Sequence, residues 1–233
     1  MKSLRIEKIK NVMLIILVLC IVGIAWHEDY FTSILQYFRS NYSYLDNDKY
    51  IAKCEVFSLI EAHSNIVFAG DSLTDYCEWN EILGDISVAN RGIAGDVSEG
   101  LLNRLDTVIS CEPMKIFIMI GTNDLTHNIE VDEIIENYRV IIAELHGALP
   151  DCVVYLESVL PTSNAVKNQK IQELNGKANS YAEKYDYVEF IDLYGEFVGS
   201  DGLIQSEYTI EGVHLTDAGY DLWMSLIERY VLY

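Results

Sequence analysis

The sequence predicts an α/β fold, a three-layer α/β/α sandwich around a five-stranded parallel sheet. Two observations predict it. Short apolar runs at 65–69, 86–90, 115–120, 152–158 and 187–192 have the length and composition of buried strands. Segments of helical periodicity lie between them, near 97–109, 131–147, 168–185 and 216–231. Strands that alternate with helices of this length pair in parallel through crossovers, and the helices then cover both faces of the sheet. The clearest helix is 131–147, where Val131, Ile134, Ile135, Tyr138, Ile141, Ile142 and Leu145 form one apolar stripe.

Four segments are expected along the chain. Residues 1–11 are a basic flank, with Lys2, Arg5, Lys8 and Lys10 against Glu7. Residues 12–26, VMLIILVLCIVGIAW, are an uncharged apolar run. A full span needs about 20 residues, so this run is either a short transmembrane signal-anchor or the apolar region of a secretory signal peptide. Trp26 suits an interfacial anchor, while Gly23-Ile24-Ala25 is a passable cleavage site. In both cases the basic flank stays inside and the rest is exported. The expectation is a single-pass membrane protein with its main domain outside, or a secreted one if the segment is cleaved. Residues 27–63 read as a helical connector packed against the domain, and residues 64–233 as the domain itself.

The formal net charge is −20, and four of the 16 basic residues but only one of the 36 acidic ones lie in the first ten positions. So acidic a body repels phosphate backbones and anionic headgroups. This argues against nucleic-acid binding and against membrane contact other than through the N-terminal helix. No two of the five cysteines are spaced C-x-x-C, so a structural zinc site has no support. Cys111 and Cys152 each precede a strand and are either small core residues or, outside the cell, a disulfide pair.

In an open parallel sheet, ligands bind beyond the carboxyl ends of the strands. The first strand ends in Gly70-Asp71-Ser72, the second leads into NRGIAGD with Gly92, and the third ends in GTND with Asn123. Before the last helix comes EGVHLTDAGY, with Glu211 and His214. Ser72 is either a helix cap or a nucleophile, and a nucleophilic serine needs an adjacent base. Gly70 tolerates a tight strand exit, and Asp71 can hold the turn through its side chain. Gly92 and Asn123 each have an ordinary turn as the alternative to donating a hydrogen bond. His214 differs from the other four histidines in having a carboxylate three residues earlier on a glycine-containing turn. That spacing lets the acid reach the imidazole Nδ1.

Over about residues 64–232 the sequence resembles the SGNH hydrolases, also called the GDSL esterase/lipase superfamily. Ser72, Gly92, Asn123 and His214 match the four signature residues in chain order. The stretches GDSLTDYCEW, NRGIAGDVSEGLLNRLD and IMIGTNDL look closest to the branch that includes the catalytic subunits of platelet-activating-factor acetylhydrolase. The resemblance implies a flavodoxin-like fold, no metal or organic cofactor, and a serine esterase. Ser72 would be the nucleophile, His214 the base, and Ser72, Gly92 and Asn123 the oxyanion donors. The usual third member is an aspartate three residues before the histidine, and here it is Glu211, whose extra methylene adds about 1.5 Å of reach. Glutamate fills that position in some α/β-hydrolases.

The expected reaction is hydrolysis of small acyl esters, acetyl above all, on small molecules or glycans, with Tyr76 and Trp79 either core residues or rings that stack on sugars. The alternatives are a lysophospholipase or thioesterase, or a binding domain weakened in catalysis by Glu211.

Overall fold

All five predicted strands form, within two residues of the expected boundaries: β1 (Ile66–Gly70), β2 (Val88–Gly92), β3 (Lys115–Met119), β4 (Val153–Glu157) and β5 (Val188–Ile191). They pair in parallel in the order β2-β1-β3-β4-β5. The chain steps outward from β1 to β2, then returns to the other side of β1. The crevice at the carboxyl ends of β1 and β3 is therefore the point where strand order reverses. The computed structural model describes residues 42–60, 63–84 and 86–232. The basic flank, the apolar run at 12–26 and the first part of the connector lie outside the described residues. No helix among the described residues is long and apolar enough to cross a membrane.

The pleat sends alternate side chains to opposite faces. Val67, Ala69, Ile116 and Ile118 face a core closed by α7 (Val131–Ala148) and α8 (Ala165–Ala182). The seven residues of the predicted stripe on α7 are all buried. On the other face, Ile66, Phe68, Phe117 and Tyr155 meet α3 (Trp79–Leu83) and α10 (Asp217–Leu232). There Trp79 stacks on Phe68, Phe68 on Phe117 and Phe117 on Tyr155, one ring per strand across the sheet.

One expectation needs correction. The helix expected at 97–109 is two, α4 (Ser98–Leu102) and α5 (Asp106–Ile109). The break falls where Arg104 turns its guanidinium into the interior. A compact unit begins at Ser43, and within it α1 (Asp48–Ser58) buries Tyr50 and Phe57 against Ile93. Of the two readings of Trp79, burial selects the core: the side chain is 1 % exposed and cannot stack on a sugar. Cys111 and Cys152 are buried free thiols.

Glu157, at the end of β4, is buried and accepts a hydrogen bond from Trp223 Nε1 at 2.7 Å. Burial pushes its carboxyl up to about 8. The unfolded chain releases this proton near the ordinary value of 4.5 while the native protein holds it to about 8. The unfolded state therefore binds fewer protons across that window, and stability falls as pH rises through it. Denaturation midpoints should decline from pH 5 to 8, and Glu157→Gln, which keeps the acceptor for Trp223, should flatten the decline above pH 7. An unchanged slope would remove Glu157 as its cause.

Candidate active site

Strand β1 leaves the sheet through a gap that only glycine fits. A Cβ on Gly70 would lie 2.2 Å from the Met119 carbonyl oxygen on β3. Asp71 then caps α2 (Ser72–Asp75), its Oδ1 accepting from the Leu73 N–H at 3.0 Å. Because Asp71 takes the cap, Ser72 is the first helical residue and its hydroxyl is available for other work. Ser72 Oγ lies 3.0 Å from His214 Nε2, 142 positions downstream.

The His214 loop is shaped by short-range bonds. Thr209 and Leu215 form an antiparallel bridge. The Ile210 N–H and the Thr209 hydroxyl both donate to the His214 carbonyl, and the Gly212 N–H donates to Thr209 Oγ1. Gly212 sits at φ +89°, a conformation costly for other residues, and so turns the chain between Glu211 and His214. Glu211 Oε1 meets His214 Nδ1 directly. A carboxylate only accepts, so Nδ1 carries the proton and Nε2 is left to accept from the Ser72 hydroxyl. The substitution of glutamate for aspartate is accommodated in the loop: the extra methylene still brings the acid to the ring. Tyr76, half-exposed, places its ring 5.4 Å from that of His214.

Asn123 lies in the first turn of α6 (Thr122–Thr126), beyond β3. Its Nδ2 donates to the Asp96 carbonyl at 2.9 Å, and 3.5 Å separates it from Asp71 Oδ2. The amide therefore reaches the same corner as the nucleophile turn.

Gly92 is a correction. It pairs with Gly70 across the sheet, but its N–H donates to Asn90 Oδ1 at 2.8 Å instead of facing an incoming carbonyl. A Cβ there would stand 2.2 Å from the Asp75 backbone nitrogen, so the glycine is needed for close approach of α2. Gly92→Ala should accordingly lower unfolding stability by about 1–3 kcal/mol, the usual cost of overpacking. A melting temperature equal to the wild type's would contradict this packing role.

Sequence reasoning missed the polar frame beneath these groups. Asp71, Asp96 and Asp124 are all buried. Burial, with repulsion from neighbouring aspartates adding to it, pushes the carboxyls of Asp71 and Asp124 up to about 7, and burial raises that of Asp96 against the opposing pull of Arg104. Arg104 pairs with Asp96 at 2.8 Å, and Asp124 accepts from both the N–H and the hydroxyl of Ser98. The acids at the ends of AGD and GTND were visible in the motifs, but their burial is a tertiary property. Among the described residues, no group of three or more His, Cys, Asp or Glu is arranged to hold a metal ion.

Residues 68–222 match the model of the GDSL-like lipase/acylhydrolase family. The chain is similar to human platelet-activating factor acetylhydrolase IB subunit alpha2, at 24 % identity over 201 residues, covering 78 % of this chain and 84 % of that protein. A GDSL-like lipase from Bacteroides thetaiotaomicron is similar in structure, at 26 % identity with a TM-score of 0.69, covering 78 % of this chain and 96 % of that one. A catalytic mutant of an acetylxylan esterase from Geobacillus stearothermophilus shares the fold, at 19 % identity and a TM-score of 0.62, over 75 % and 96 % of the two chains. The chain belongs to the GDSL-like lipase/acylhydrolase family and is an ester-bond hydrolase.

Proposed function

We propose that the chain is a serine esterase that removes small acyl groups, acetyl above all, from hydroxylated substrates such as glycans, and that it acts outside the cell. The observation that carries the catalytic part is the continuous relay from Ser72 Oγ through His214 to Glu211. As Ser72 Oγ attacks the ester carbonyl, His214 Nε2 takes its proton and then gives it to the departing alcohol. Water attacks the acyl-Ser72 ester in turn, its proton passing through His214 back to Ser72 as the acid leaves. Glu211 holds the ring in the required tautomer and stabilises the imidazolium. The Ser72 N–H at the start of α2 and the Asn123 carboxamide are the oxyanion donors in this reading.

The substrate assignment has three supports. A cavity of about 740 Å³ adjoins the loop that carries Glu211 and His214, although neither of them nor Ser72 lines it. Ser163, Asp201, Gln205, Glu207, Thr209 and Gly212 wall it, together with three apolar side chains. Hydroxyl, amide and carboxylate groups of this kind bind polyols, and none of these six is a cation that would attract a phosphate. Tyr76 stands half-exposed beside His214, where a sugar face can stack. The net charge of −20 disfavours anionic lipid surfaces. Export rests on the apolar run at 12–26 behind its basic flank. A substrate panel tests the reading: acetylated oligosaccharides should be hydrolysed with higher kcat/KM than long-chain lysophospholipids, and the reverse order would refute it.

A further inference from the structure

Helix α1 lies outside the relay, yet its side chains hold the backbone on which the relay stands. Asn47, the cap of α1, spends its two functional atoms on different tasks. Its Oδ1 accepts from the Lys49 N–H at 3.1 Å, starting the helix, and its Nδ2 donates to the Ala94 carbonyl at 2.9 Å. Ala94 is held from the other side as well, its N–H donating to Asp75 Oδ2 at 3.1 Å. The second oxygen of that carboxylate meets Lys53 Nζ of α1 at 2.5 Å. Asp75 stands one turn beyond Ser72 on α2. A single carboxylate thus couples the nucleophile helix to the loop after β2, and a lysine of α1 holds that carboxylate.

The same loop then reaches the other half of the site. Two residues after Ala94, the Asp96 carbonyl accepts from Asn123 Nδ2. The Ala94–Gly95 peptide is trans, so anchoring its carbonyl to Asn47 also sets the direction of the Gly95 N–H. Farther along α1, Tyr50 donates its hydroxyl to the Gly100 carbonyl at 2.8 Å.

We infer that Asn47 and Lys53 are positioning residues for catalysis: α1 is a strap that fixes the loop of residues 93–96 and, through it, the relative placement of Ser72 and Asn123. The inference rests on the proposed roles of those two residues. A misplacement of about 1 Å in a site of this kind can cost on the order of 10² in rate, so loosening the strap acts on kcat more than on substrate binding.

Asn47→Asp separates the two tasks of that residue. Aspartate caps helices as well as asparagine does, but it has no N–H to give the Ala94 carbonyl and would repel it. With acetyl esters, Asn47→Asp and Lys53→Met should each lower kcat by about ten- to a hundredfold with KM changed less than twofold, and Lys53→Arg should restore most of the loss. Melting temperatures should stay near the wild type's. Amide hydrogen exchange, read independently of activity, should speed up at residues 93–96 in both damaging variants. Unchanged exchange in that loop, unchanged kcat, or loss of activity only in step with loss of stability overturns the inference. Faster exchange at 93–96 in the two damaging variants, together with a wild-type protein that shows no esterase activity, would instead refute the catalytic roles of Ser72 and Asn123, and the positioning role with them.

Discussion

Ser72→Ala and His214→Ala are each expected to lower kcat on a small acetyl ester by about 10⁶, and the double variant should be hardly worse than either alone. The three groups act as a unit. Without the base, the Ser72 hydroxyl is a poor nucleophile; without the hydroxyl, the base has no proton to take. Residual hydrolysis about 10³–10⁴ above water would remain, supplied by binding and the oxyanion donors. A fluorophosphonate probe gives a second readout: one covalent label on wild-type protein, none on Ser72→Ala, and a sharp fall on His214→Ala. Both variants should retain the wild-type melting temperature within a few degrees, since Ser72→Ala removes one oxygen atom and the His214 side chain is 34 % exposed. Labelling that persists in Ser72→Ala would place the nucleophile elsewhere and dissolve the relay.

Glu211→Gln should cost about 10³ in kcat, less than the ~10⁴ seen when a buried triad carboxylate becomes an amide. The physical difference is exposure. The Glu211 side chain is 52 % exposed and that of His214 34 %, so water shares in stabilising the imidazolium. Glutamine can still touch Nδ1, but it offers either an uncharged acceptor or an N–H₂ that favours the wrong tautomer. Glu211→Asp is the more revealing change. It restores the residue usual at this position in related hydrolases, yet withdraws the carboxylate by about 1.5 Å from a ring that this loop has placed for glutamate. A fall in kcat for Glu211→Asp, smaller than for Glu211→Gln, is the expected order under steady-state assay. If aspartate equals or exceeds the wild type, the loop imposes no such distance.

Most of the fold could be read in the sequence because its signals are local. The stripe from Val131 to Leu145 repeats every three to four residues and predicts its helix to within one residue at the C-terminal end. Four of the five apolar runs are strands buried along most of their length, while the edge strand β5 leaves Glu189 exposed. The break at Arg104 escaped notice because an arginine in an amphipathic segment reads as a solvated position. Here it is buried and donates to the Asp96 carboxylate and the Gly70 and Arg91 carbonyls, partners from separate segments. Trp79 has two readings for the converse reason: it is a ring close to Ser72 in sequence that turns inward in space.

The site divides in the same way. Strand-end positions and a match to signature residues in chain order were enough to nominate Ser72, Asn123 and His214, with Glu211 three residues before the histidine; taken singly, Ser72 and Asn123 read equally as a cap and a turn. Gly92 was nominated on the same grounds, but a glycine carries no side chain to declare its role, and only the position of the Asp75 backbone shows that it makes room for α2. The three buried aspartates and the strap residues Asn47 and Lys53 were likewise decided by tertiary structure. Helical and strand periods are written within a few residues of each other, whereas burial and the meeting of Ser72 with His214 depend on every crossover between them.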